Sequence, residues 1–170
     1  MVRMSRILIV HGTRSGATAH VAELLATRLR AAGHHVEDTP ASSDPAPDHA
    51  DLTVVGSGIV AGRWYPEVLD WIHRHTERLR GRAAVFNVSL TAANPDRRDA
   101  ALGLNSPAAS LLDPVLAEAF AGRYEPQAVS WWGRWWLRLL GKGPQDHLDP
   151  GAVERWADAI ADHLSGRQAH

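Results

Sequence analysis

The chain has 170 residues, of which 45% are hydrophobic and 22% charged, with a formal net charge of -1. This length suits one domain over residues 1–170, and the lack of cysteine excludes disulfides, thiolate metal sites and cysteine nucleophiles. The near-zero charge argues against a nucleic-acid partner.

Arg6-Ile7-Leu8-Ile9-Val10-His11 is a short apolar run rich in β-branched residues, and it predicts a strand buried on both faces. It is too short for a secretion signal or a membrane span, so a cytoplasmic location is expected. Thr18 to Ala32 carries Val21, Leu24, Leu25 and Leu29 on one helical side, and Gly33 stands where a helix ends. His34 to Asp38 predicts a second, weaker strand, followed by a Pro- and Ser-rich loop from Thr39 to Ala50. Asp51 to Gly56 predicts a third strand, with Ser57 to Trp64 a Gly-containing loop at its carboxyl end. Pro66 opens a helix to about Arg80, with Val68, Leu69, Ile72 and Leu79 inward.

Ala83 to Val88 predicts a fourth strand, and Ser89 to Ser106 a long polar loop that is either a lid or mobile surface. Pro107 to Ala119 predicts a helix interrupted near Pro114, Phe120 to Glu125 a fifth strand, and Pro150 to Leu164 a final amphipathic helix. Strand and helix alternate down the chain. That pattern predicts an α/β three-layer sandwich with a five-stranded parallel sheet, whose ligand loops follow the carboxyl ends of the strands.

The first of those loops is Gly12-Thr13-Arg14-Ser15-Gly16-Ala17-Thr18. Amides at a helix start have no internal partners, and the helix dipole adds partial positive charge there, so a phosphate satisfies both. The hydroxyls of Thr13, Ser15 and Thr18 add hydrogen-bonding capacity, and Gly16 permits a tight turn. No lysine stands where a Walker-type loop needs one, and the spacing fails the Gly-x-Gly-x-x-Gly pattern. A phosphate monoester held by amides and hydroxyls fits better than a nucleoside triphosphate. The same residues also read as a plain helix cap, with Ser15 or Thr18 capping.

Thr-x-Ser-Gly-x-Thr after a first strand resembles the phosphate loop of flavodoxins. Thr13, Arg14, Gly16 and Thr18, with Gly56-Ser57-Gly58-Ile59-Val60-Ala61-Gly62-Arg63-Trp64 and Phe86-Asn87-Val88-Ser89-Leu90-Thr91-Ala92, resemble one branch in particular. That branch is the menaquinone-dependent protoporphyrinogen oxidases. Ser15 stands where that branch usually has an acidic residue. The resemblance implies a flavodoxin-like fold and bound FMN, with the phosphate on Thr13, Arg14, Ser15, Gly16, Ala17 and Thr18. It implies that the isoalloxazine ring lies between two loops. One is formed by Ser57, Gly58, Ile59, Val60, Gly62, Arg63 and Trp64, the other by Ser89, Leu90, Thr91 and Ala92. Trp64 then reads as a ring cover or as a packing aromatic, and Arg63 as a charge for the reduced ring or as a solvated surface residue.

Residues 126–149 read as a Trp/Arg-rich insertion. Trp131, Trp132, Trp135 and Trp136 are four of the seven tryptophans. At helical spacing, Trp132, Trp135 and Trp136 share a face with Leu139 and Leu140, away from Arg134 and Arg138. Such a segment suits a membrane interface, the domain's own core or a dimer contact. The resemblance implies access to a membrane quinone, hence a place at the inner face of the cell membrane, in heme biosynthesis. No metal site is expected, because His73 and His75 point to different sides of a helix and His34-His35 lacks a carboxylate at ligand spacing. His11 reads as a packed strand-end histidine. An FMN oxidoreductase leads over two other readings, a non-catalytic electron carrier and a flavin-free interaction module of the same fold. No side chain stands out as a catalytic acid or base.

Overall fold

The computed structural model describes residues 4–122 and 147–167. The strands are β1 (Arg6–Gly12), β2 (His35–Pro40), β3 (Leu52–Val60), β4 (Arg63–Trp64), β5 (Ala83–Ser89) and β6 (Leu116–Ala121). The helices are α1 (Ala17–Ala31), α2 (Pro66–Leu79), α3 (Arg98–Gly103), α4 (Ser106–Leu112) and α5 (Pro150–Arg167). Five strands run parallel, as the alternation predicts; their order is β2-β1-β3-β5-β6, and β4 adds a short antiparallel ribbon to β3. The fold is a flavodoxin-like three-layer sandwich. The chain reverses its order across the sheet between β1 and β3, and the crevice beyond the carboxyl ends of those strands is where such sheets take ligands.

Side-chain alternation along the strands builds two cores. Ile7 and Ile9 of β1, with Val54, Ala84, Phe86 and Val88, pack under α1 and α5. Leu8 and Val10, with Val55, Ala83 and Val85, pack under α2 and α4. α1 buries Val21, Leu25 and Leu29 at the spacing that the sequence predicts. It is tied to α5 by a two-pronged Arg28–Asp158 pair at 2.9 and 3.1 Å. α2 starts on Pro66, which gives up an amide that has no helical partner in any case.

Three expectations are corrected. β3 does not stop at Gly56 but runs to Val60. Ala61 and Gly62, both at positive φ (49° and 73°), then turn the chain back into β4, so Ser57 to Trp64 is a hairpin and not an open loop. The segment from Ser89 to Ser106 is not an open loop. It folds as two 3-10 turns and α3, anchored by buried Asn87, whose Nδ2 donates to the Ala101 carbonyl (2.9 Å) and to Asn105 Oδ1 (3.0 Å). The helix expected to reach Ala119 ends at Leu112, where Asp113 turns left-handed (φ 46°) ahead of Pro114, which has no amide to continue it. The fifth parallel strand therefore begins at Leu116, earlier than Phe120, and pairs with β5 from Ala84↔Leu116 to Ser89↔Ala121. The rest of its expected span, residues 123–125, lies outside the described residues, as does the Trp131–Leu140 segment.

Phe86, Phe120 and Trp156 meet edge to face, with ring centroids 5.7 to 5.8 Å apart. Gly56 makes room for this cluster: a Cβ there would lie 2.1 Å from Phe86 Cζ. Gly56→Ala is expected to cost about 1–3 kcal/mol of stability through overpacking, measured by urea unfolding. An unchanged midpoint would show that the ring moves aside freely.

Candidate functional site

The loop after β1 is built around an unusual helix start. Gly16 is the N-cap residue of α1 and adopts φ 84°, a left-handed conformation that strains any side chain. No side chain caps the helix, so the expectation that Ser15 or Thr18 caps it is not met. Thr18 is instead buried, at 2% exposure. Thr13 Oγ1 accepts the Gly16 amide at 2.9 Å and closes the loop on itself. The Gly16 carbonyl accepts the first helical bond, from the His20 amide. The amides of Ala17, Thr18 and Ala19 thus have no intrahelical acceptor, and the first turn holds no acidic residue to offset the dipole. This is the arrangement that an anion completes.

A cleft of about 250 Å³ opens beside that helix start. Ser15, Gly16, Ala17 and His20 form one wall, facing Val88 and Ala121 at the ends of β5 and β6.

The other two loops lie along the same carboxyl edge. The Ser57 hydroxyl is fully buried; it accepts the Tyr65 amide (3.0 Å) and donates to the Gly58 carbonyl (2.7 Å), which braces the hairpin. Ser89, also buried, accepts the Ala92 amide at 3.3 Å and fixes the turn through Leu90, Thr91 and Ala92. Pairing of β3 with β5 ends at Gly58↔Val88. Val60 and Leu90 each stand two residues beyond it, and they are 47% and 52% exposed. Among the described residues only Met4 joins them as an exposed large hydrophobic side chain. Ile59 is half-buried, Gly62 sits at the hairpin turn, and Arg63 is exposed beside it.

Trp64 is 2% exposed and belongs to the core under α2 and α4, so the reading as an exposed ring cover is corrected. The physical reason is the Ala61-Gly62 turn, which sends β4 back along β3 and carries Trp64 inward. His11 is buried and pairs with Asp38 across β1 and β2, Nε2 to Oδ1 at 3.1 Å.

Sequence reasoning missed Tyr65, Asn87 and Asn105. Tyr65 is 6% exposed, and the Arg14 guanidinium lies over its ring at 4.9 Å. Burial pushes its phenol above the ordinary range; the Arg14 charge works against that and Glu67 adds to it. Asn105 donates to the Glu118 carbonyl at 2.9 Å and so joins the Asn87 anchor to β6. A polar residue inside the apolar run of β5 was the available signal for Asn87.

A family model described as a flavodoxin domain matches residues 8–150. The chain is 26% identical over 145 residues to a protoporphyrinogen IX dehydrogenase [quinone] from Escherichia coli (strain K12), covering 81% of this chain and 79% of the relative. Oxidised Flavodoxin 1 from Bacillus cereus superposes with a TM-score of 0.63 at 15% identity, over 95% of this chain and 100% of that one. Rubredoxin oxygen:oxidoreductase from Desulfovibrio gigas gives 0.64 at 14% identity, over 97% of this chain and 37% of that one.

The Thr13–Gly16 bond is testable without any ligand. Thr13→Val is expected to speed amide exchange at Gly16 by up to about tenfold, while Thr13→Ser keeps it near wild type, read by NMR hydrogen exchange. Equal rates in all three proteins would mean that the hydroxyl does not hold the loop.

Proposed function

The chain belongs to the flavodoxin domain family, and from that premise we propose that it is an FMN-dependent oxidoreductase. One observation carries the reading. The first helix after β1 starts without a side-chain cap, on a left-handed glycine, at the crevice where the sheet reverses its order. Three amides, the Thr13 and Ser15 hydroxyls and the Arg14 charge suit the dianionic phosphate of FMN. Thr18 contributes its amide and not its buried side chain. On this reading the ring rests between Val60 and Leu90, with the backbone of Gly58, Ile59 and Gly62 on one side and that of Ser89, Thr91 and Ala92 on the other. Two exposed aliphatic side chains at the tips of the two loops support that placement, because an apolar ring face gives them a partner.

Bound FMN supplies the hydride and electron chemistry. The chain's own residues do the rest. The α1 start and Thr13 fix the phosphate end, Ser57 and Ser89 hold the two ring loops in shape, and Arg63 places a positive charge beside the ring. Similarity to the quinone-dependent protoporphyrinogen IX dehydrogenase supports a reduced tetrapyrrole as electron donor and a quinone as acceptor, in heme biosynthesis. No helix among the described residues is long and apolar enough to cross a membrane.

Visible absorbance of the purified protein titrated with FMN tests the cofactor. A saturable, stoichiometric shift of the flavin bands is expected, and protein that leaves free FMN unchanged contradicts the reading. With FMN bound, anaerobic oxidation of protoporphyrinogen coupled to a menaquinone analogue is expected. Flavin that is reduced chemically but never by the tetrapyrrole would make the protein an electron carrier.

A further inference from the structure

Tyr65 joins elements that the FMN reading treats separately. Its amide is bound by Ser57 of the hairpin. Its side chain lies beside two glycines, Gly12 at the end of β1 and Gly58 within β3. A Cβ at Gly58 would lie 2.8 Å from Tyr65 Oη, and one at Gly12 would lie 3.4 Å from Cδ2. Gly58, within β3, thus leaves the room that the phenol occupies, while Gly12, at the end of β1, is kept bare chiefly by Val68, whose Cγ2 would lie 2.3 Å from a Cβ there. Arg14, in the middle of the phosphate loop, is itself exposed, yet its guanidinium stacks on this buried ring at 4.9 Å. An exposed arginine in a loop otherwise samples many rotamers, and ordering it for a ligand costs entropy at the moment of binding.

We propose that Tyr65 is a positioning residue that clamps Arg14 at the phosphate loop and so gives the site its preference for a phosphorylated flavin over the bare one. The proposal rests on the FMN reading and deepens it. Riboflavin lacks the phosphate but keeps the ring, so it separates a clamp on the phosphate loop from a general support of the hairpin. Holding the cation in place before binding saves the ordering cost for FMN alone. A cation–ring contact of this kind corresponds to a change of about fivefold in affinity.

The experiment compares dissociation constants for FMN and riboflavin in wild type, Tyr65→Phe, Tyr65→Leu, Arg14→Gln and the Arg14→Gln/Tyr65→Leu double variant. Tyr65→Phe keeps the ring under the guanidinium and removes only the phenol oxygen that accepts from the Arg14 amide, so it is expected to stay closer to the wild-type preference for FMN than Tyr65→Leu. Tyr65→Leu and Arg14→Gln are each expected to lower that preference by about fivefold, and the double variant no further than either alone. Arg14 is exposed, so Arg14→Gln gives a reading even where Tyr65→Leu fails to fold. An unchanged preference in Arg14→Gln overturns the clamp, as do losses in the single variants that multiply in the double. Equal weakening of both flavins in Tyr65→Leu also overturns it and leaves Tyr65 a support of the hairpin. Wild-type protein that binds neither flavin overturns the FMN reading itself, so the two failures are distinct.

Discussion

A fifteen-residue helix that begins with no side-chain cap leaves polar backbone without partners at its most positive end. Folded proteins rarely leave such groups unmatched unless water or a ligand completes them. Around α1 the neighbouring residues accentuate this state. Thr13 Oγ1 accepts the Gly16 amide and leaves its own proton to donate, Thr18 turns into the core, and no acidic residue enters the first turn. The rest of the molecule positions that helix start. β1 lies inside the sheet, flanked by β2 and β3, and α1 is locked to it through Val21, Leu25 and Leu29.

The two remaining loops depend on the same sheet. Parallel pairing of β3 with β5 in fixed register brings the hairpin tip and the Leu90 turn out on one edge. Buried hydroxyls, Ser57 in one and Ser89 in the other, replace long-range contacts in setting the two turns. Behind them, Asn87 and Asn105 stitch α3 and the start of α4 to β5 and β6. Buried amides of this kind are costly when unpaired, so they specify one arrangement of a segment that is otherwise short of apolar contacts.

Much of this was legible in the sequence because the signals are local. The apolar run of β1, the helical spacing of Val21, Leu25 and Leu29, and Pro66 ahead of Val68 and Ile72 each identify their element directly. The parallel pairing of five strands followed from their alternation with helices. Two segments misled for one reason. Ser57-Gly58 looks like loop, yet it pairs with β5, and that pairing is set by residues thirty positions away. Leu116-Ala117-Glu118-Ala119-Phe120-Ala121 has the composition of a helix but forms the edge strand β6, where pairing with β5 and Phe120 packing against Phe86 outweigh propensity. The candidate phosphate loop was readable from spacing. The inward course of Trp64 was not, because it depends on Ala61 taking a positive φ that its residue type does not favour. Tyr65 was hidden for a related reason: Gly58 faces it only once the hairpin has turned, and Gly12 and Arg14 are distant in sequence and meet it only once the sheet is formed.

Binding of FMN as proposed requires the free amides at the start of α1 to grip its phosphate. Backbone amide NMR of labelled protein titrated with FMN reads those groups one by one. The account expects the largest downfield proton shifts at Ala17, Thr18 and Ala19, with a weaker version of the same pattern for inorganic phosphate. Shifts confined to other parts of the chain, with these three signals unmoved at saturation, would contradict it.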